Sequence, residues 1–130
     1  MPTYRMAEAA NLLGISDDTM RRLVESEGMA GQDASGRRVV DGADLAALAQ
    51  RRAHQVEDPS GVRRSARNRL VGLVTSVTSD KVMSQVELQC GPARIVSLMS
   101  TEAVEELDLK PGDLAVAVIK STMVTVETPR

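Results

Sequence analysis

The chain has 130 residues, 42% of them apolar and 26% charged, with a formal net charge of −2. These are the proportions of a soluble globular protein; no apolar run approaches the roughly 20 residues that span a bilayer, and no overall basic field announces a nucleic-acid partner. The single cysteine, Cys90, excludes an internal disulfide and suits a reducing cytoplasm. The N-terminus carries no signal-peptide core, so a cytoplasmic location with no membrane partner is expected. Tyr4 is the sole aromatic residue, which argues against recognition of single strands by base stacking.

Residues 6–13 favour helix, with Met6, Ala9, Ala10 and Leu13 on one face and Gly14 as the stop. Ser16 is an N-cap candidate, followed by Asp17 and Asp18 in a first turn where acidic side chains suit the helix dipole. The second helix should run to about Glu27, with Met20, Leu23, Val24 and Glu27 inward and Asp18, Arg21, Arg22 and Glu25 outward. Two short helices joined by a tight Gly-containing turn make a helix-turn-helix candidate. Its second helix would offer Ser16, Asp18, Thr19, Arg21 and Arg22 to a DNA major groove. A solvated face, with Asp18 and Arg22 as an i,i+4 pair, explains the same residues equally well.

Further on, Ser35-Gly36 reads as a turn and Arg37-Arg38-Val39-Val40 as a short extended piece. A third helix should follow over Ala43–Arg52. Two arginines on a hairpin tip beside a helix-turn-helix form a wing that can grip phosphates. The order Tyr4, Glu8-Ala9-Ala10, Leu12-Leu13-Gly14-Ile15-Ser16, Thr19, Arg21-Arg22, Gly36-Arg37-Arg38, Asp41 and Asp44-Leu45 resembles the winged helix-turn-helix domain of the MerR and excisionase type. That resemblance covers roughly residues 3–53 and implies a reader of double-stranded DNA. Leu23 stands where the family usually has an aromatic residue.

Residues 54–64 hold Pro, Ser, Gly and charges without periodicity and read as an interdomain linker. His54, the only histidine, has no partner for a zinc site and reads as solvated, as do Arg63 and Arg64. From Leu70 the pattern becomes alternating, with Leu73, Thr75 and Val77 sharing one side of a first strand and Val86, Leu88 and Cys90 one side of a second. A third strand is expected over Arg94–Met99, then a short helix from Glu102 to Leu107 capped by Ser100 or Thr101. Strands over Leu114–Ile119 and Met123–Thr128 should complete the set. Five strands with one short helix read as a small OB-like barrel. The whole chain is therefore α+β in two domains, a mainly helical one over 1–53 and a barrel over 65–130.

Three positive or donor features fall at strand ends in the second half. Arg67 follows Ser65 at the entrance to the barrel, Ser100 sits at a helix start, and Lys120 follows an apolar strand. Arg67 and Lys120 can supply the two charges that balance a divalent oxyanion. Spacing alone does not bring them together. The stretches Ser65-Ala66-Arg67-Asn68, Met99-Ser100-Thr101-Glu102-Ala103, Leu107-Asp108-Leu109, Pro111-Gly112 and Val118-Ile119-Lys120-Ser121 look like the molybdenum-pterin-binding (Mop, or TOBE) domain of molbindins and molybdate-responsive regulators. That resemblance implies a homodimer or higher homo-oligomer binding molybdate or tungstate at subunit interfaces. Its ligand set here would be Ser65, the Ala66 amide, Arg67, Ser100 and Lys120. Ala103 departs from the family by lacking a hydroxyl.

Together the two resemblances imply a DNA-binding transcriptional regulator that senses molybdate or tungstate. The alternatives are an oxyanion storage or buffering protein and a DNA-binding dimer whose barrel has lost its ligand. No nucleophile–base pair or metal cluster points to an enzyme.

Overall fold

The structure, a computed structural model, describes residues 2–53, 57–61 and 66–129. It falls into two compact units, Met1–His54 and Gln55–Arg130.

The first unit opens with a strand that the sequence reading missed, β1 (Thr3–Arg5). Helix α1 (Met6–Leu13) follows and ends at Gly14, whose φ of 68° lets its amide reach the carbonyls of Ala10 and Asn11. Ser16 caps α2 (Asp17–Glu27), and Gly28 ends it in the same left-handed conformation. A hairpin of β2 (Ala30–Gln32) and β3 (Arg38–Asp41) joins β1 in a sheet of order β1-β3-β2. Asp41 then caps α3 (Gly42–Arg52). Met6, Ala9, Ala10, Met20, Val24, Val40, Leu45 and Leu48 form one core, with Tyr4, Leu13 and Leu23 packed against it. The periodic faces expected for the first two helices are thus the buried ones, except Glu27. That carboxylate stays exposed and pairs with Arg51 on α3 at 3.4 Å.

The second unit is a curled antiparallel sheet of β4 (Asn68–Ser79), β5 (Met83–Cys90), β6 (Ala93–Ser100) and β7 (Leu114–Ile119), ordered β6-β5-β4-β7. Helix α4 (Thr101–Leu107) sits between β6 and β7. This mixed, curled architecture is consistent with an OB-like fold, but two expectations need correction.

The first concerns the face of β4. Its ladder slips between Val74 and Ser76, a bulge that adds one residue and changes which side faces in. Leu73 and Thr75 point outward, whereas Val74 is buried and Val77 packs on the core.

The second concerns the fifth strand. Met123–Thr128 makes no ladder pair among the described residues: Ser121–Met123 form a 3₁₀ turn and the residues after it join no strand. The OB-like sheet is therefore four-stranded, not a closed five-stranded barrel. A strand needs a partner edge, and this segment lies on none, leaving Val126 89% exposed.

Long β4 serves two neighbours. Its first half pairs with β7 and its second half with β5. Gly72 sits where they meet: a Cβ there would lie 2.4 Å from the Gln89 carbonyl oxygen and 2.6 Å from the Cys90 Sγ. Only glycine lets the two strands approach so closely. Cys90 is buried beside it, and burial raises its thiol pKa, as befits a core residue and not a nucleophile.

Candidate functional site

Ladder register determines where the second-unit candidates lie. Asn68, the first residue of β4, pairs with Ile119, the last of β7, and its side-chain amide donates to the Ile119 carbonyl at 3.2 Å. One step beyond that pair stand Arg67 on one strand and Lys120 on the other. Both are exposed, and neither takes part in an ion pair among the described residues. Ala66, half-buried, precedes Arg67, and Ser65 lies outside the described residues, as do His54, Arg63 and Arg64. Two like charges on adjoining strand ends repel one another, a cost that a dianion between them would relieve.

Ser100 lies elsewhere. It ends β6 opposite Met83, while Ser84 pairs with Ser79 at the far end of β4. The 12 residues of β4, about 35 Å of strand path, separate the two ends. One chain therefore holds the candidate anion set as two half-sites, Ala66/Arg67/Lys120 at one end of β4 and Ser100 at the other.

The Ser100 end is firmly built. Ser100 Oγ accepts from the Ala103 amide at 3.1 Å, so it caps α4 and keeps its own hydroxyl proton available. Thr101 does not share that freedom, because its hydroxyl donates to the Asp80 carbonyl at 2.8 Å. Ser84, the one buried polar residue among the described residues of the second unit, bridges Thr101 at 2.9 Å and Ser79 at 2.7 Å. The Asp80 carboxylate accepts from the amides of Val82 and Met83, which hold it below the usual carboxylate range. These bonds tie the start of α4 to the β4–β5 turn.

The other half-site has a support that reading along the chain overlooked. Asp58, in the aperiodic stretch between the domains, pairs with Arg69 on β4, and Arg69 Nη2 donates to Ser60 Oγ at 2.7 Å. Arg69 first, then the Ser60 amide and hydroxyl, hold the Asp58 carboxyl far below its ordinary pKa. The Asp58-Pro59-Ser60 sequence is an Asx-turn signal, visible in retrospect. Its partner eleven residues on has no sequence signature.

In the first unit, Ser16 Oγ accepts from the Thr19 amide at 3.2 Å and donates to Thr19 Oγ1 at 2.9 Å. Asp18 pairs with Arg21 at 3.5 Å, not with Arg22 as an i,i+4 reading suggested. Arg22 is exposed and unpaired among the described residues. Arg37 and Arg38 are exposed at the end of the β2–β3 hairpin loop. Asp33 organises that loop by accepting from Ser35 N, Ser35 Oγ and Arg37 N at 2.9, 2.7 and 3.0 Å, and those bonds lower its pKa.

Comparison with known proteins follows the same division. Residues 3–53 match the helix-turn-helix domain family and residues 64–126 the TOBE domain family. Molybdenum-pterin-binding protein 3 of Clostridium pasteurianum is 40% identical over 63 residues, which cover 48% of this chain and 93% of that protein. The molybdenum transport protein ModE of Herbaspirillum seropedicae is 37% identical over 65 residues, 49% of this chain but only 24% of its own length. A solved molybdate-binding protein from Sporomusa ovata superposes with a TM-score of 0.50 at 28% identity, over 52% of this chain and all of its own. The chain thus belongs, through its second half, to the TOBE-domain family of the molybdenum-pterin-binding proteins, and carries a helix-turn-helix domain ahead of it.

Proposed function

We propose that the protein is a DNA-binding transcriptional regulator whose second domain senses molybdate or tungstate. The observation that carries this reading is the ladder pair Asn68–Ile119, which leaves Arg67 and Lys120 adjoining in a TOBE domain, with no ion pair among the described residues. A tetrahedral dianion fits that donor set: two positive charges, the Ala66 amide, the hydroxyl proton of Ser100 and, by family resemblance, Ser65. Because Ser100 sits at the far end of β4, a second copy supplies it, and the ligand therefore reports on how two chains are paired.

The first domain supplies DNA contacts. Arg22, Arg37 and Arg38 are free to meet phosphate or base edges, Thr19 lies near the start of α2, and the Asp18–Arg21 pair orients Arg21 beside it. Ser16 acts by capping and so fixes the angle at which α2 is presented. Two readers held by one dimer must match half-sites about 10 base pairs apart, so a change in pairing geometry alters DNA affinity.

Ala103 favours one competing reading, a dimer that has lost its ligand. The missing hydroxyl removes a neutral donor worth about 1 kcal/mol, and Thr101 cannot replace it because its proton is already used. Calorimetry with molybdate, tungstate and sulfate decides the matter. Heat with the first two supports the sensor; silence with all three sinks it. A gel shift on the DNA upstream of its own coding region then separates regulator from storage protein.

A further inference from the structure

Two residues beyond Arg67, β4 carries a further arginine that the proposed ligand set does not use. The alternation of an antiparallel pair puts Arg69 and its partner Val118 on one face of the sheet, and Asn68 and Ile119 on the other. The next step returns the positions of Arg67 and Lys120 to the face of Arg69, and Lys120 keeps an extended backbone there, with φ −64° and ψ 141°. Arg69 therefore brings a third positive charge to the face that holds the other two.

Unlike Arg67 and Lys120, Arg69 is not offered to solvent. Its side chain is 17% exposed; Nε donates to Asp58 Oδ2 and Nη2 to Ser60 Oγ. Nη1 is buried without a partner among the described residues. Asp58 is engaged as fully, since its other oxygen accepts from the Ser60 amide at 2.9 Å and the Ser60 hydroxyl at 2.8 Å. What an ion pair adds to a neutral hydrogen-bonded turn is a carboxylate fixed beside the proposed anion position. Two residues of strand span about 7 Å, less than the Debye length of about 10 Å at 0.1 M salt, so charges at this turn act on an anion held by Arg67.

We propose that Asp58 sets the charge of the oxyanion site: it cancels Arg69 and leaves Arg67 and Lys120 as the two cations matched to a divalent anion. Arg69 in turn keeps the Asp58 carboxylate from repelling that anion. The inference rests on the anion-binding reading of the second domain. It adds two residues that act on affinity through charge without touching the ligand. A unit charge about 10 Å from a dianion changes its affinity roughly threefold or more, even at the dielectric of water.

Three variants of the full chain, titrated by calorimetry with molybdate and with sulfate at about 10 mM salt, test this. Asp58→Asn keeps an acceptor in the turn and removes its charge, so molybdate should bind about threefold tighter or more. Arg69→Gln leaves the carboxylate uncompensated, so binding should weaken by a similar factor. The double variant removes both charges and should return to about the wild-type affinity. All three break the ion pair, so a purely structural pair would shift all three in the same direction. Tighter binding by a destabilised Asp58→Asn chain is a result that no packing role predicts. The spread between variants should shrink at about 1 M salt, where the Debye length falls to about 3 Å. Single variants that both weaken binding, or variants that all match a molybdate-binding wild type, overturn the charge-setting role and leave the anion site intact. Heat from Asp58→Asn alone, with a silent wild type, sinks the sensor and keeps the charge-setting role. Silence from all four chains with both anions overturns the two readings together.

Discussion

Arg67 and Lys120 stand just beyond the Asn68–Ile119 ladder pair and bring different chemistry to it. Arg67 offers a planar fork that can grip two oxygens of an anion, whereas Lys120 contributes a point charge at the end of an apolar strand. A charge-assisted hydrogen bond contributes about 1.5–3 kcal/mol, so Arg67→Ala should weaken molybdate binding roughly 10- to 100-fold by calorimetry. Both side chains are exposed and make no ion pair among the described residues, so the unliganded melting temperature should barely change. Arg22→Ala is the reciprocal control, lowering DNA affinity while leaving anion binding intact. Asp58 makes a separate, pH-dependent prediction. Its folded-state pKa is depressed by Arg69 and Ser60, so the stability it contributes is fully present above the unfolded value near 4 and is lost as pH falls below that. Asp58→Asn should lower the melting temperature of the second domain at pH 7 and flatten its decline below pH 4, measured as a thermal melt at each pH. An acid limb as steep as wild type would show that the pair with Arg69 adds nothing.

At the level of elements, the helices were easy to read and the sheet was harder, for identifiable reasons. Caps and stops are local: Ser16 and Gly28 bracket α2, and Ser100 starts α4, all through contacts within four residues. The bulge at Val74–Ser76 is a property of the β4–β5 ladder, and nothing in Leu73-Val74-Thr75-Ser76-Val77 announces it. The fate of Met123–Thr128 is equally non-local, since a good strand sequence becomes a strand only where an edge awaits it. The proposed anion set shows the same division. Residue types picked out its members, but only the register reveals that Arg67 adjoins Lys120 while Ser100 lies at the other end of β4. Arg69 and Asp58 carry no local sequence signal because their pairing is tertiary. Gly72 provides the sharpest test at this scale. A methyl group there would collide with backbone, which cannot give way as a flexible side-chain tip can. Gly72→Ala should cost the second domain about 1–3 kcal/mol or more. Chemical denaturation of the full chain should show that loss in the second domain and spare the first. A neutral result would mean that β5 can draw back from β4 at this residue at little cost.

For the molecule as a whole, the two compact units make coupling measurable, because each has its own core and its own proposed ligand. An anion that binds only the folded second domain stabilises it by about 2.7 kcal/mol at a hundredfold excess over Kd, a rise of roughly 10 °C or more in its melting temperature. If the domains were only tethered, that rise would stop at the linker and DNA affinity would not change. If pairing geometry transmits the signal, molybdate changes DNA affinity by some factor, and DNA must change molybdate affinity by the same factor, because linkage is reciprocal. The decisive measurement is therefore a square of four equilibria: DNA binding with and without saturating molybdate, and molybdate binding with and without DNA. A coupling of about 1–3 kcal/mol, or roughly 5- to 150-fold, equal along both routes, is expected for a sensor. Arg67→Ala should erase the coupling without changing DNA binding in the absence of anion, since Arg67 belongs to the second domain. A coupling factor of one, with both ligands still bound, would make the protein a DNA-associated oxyanion binder and not a switch.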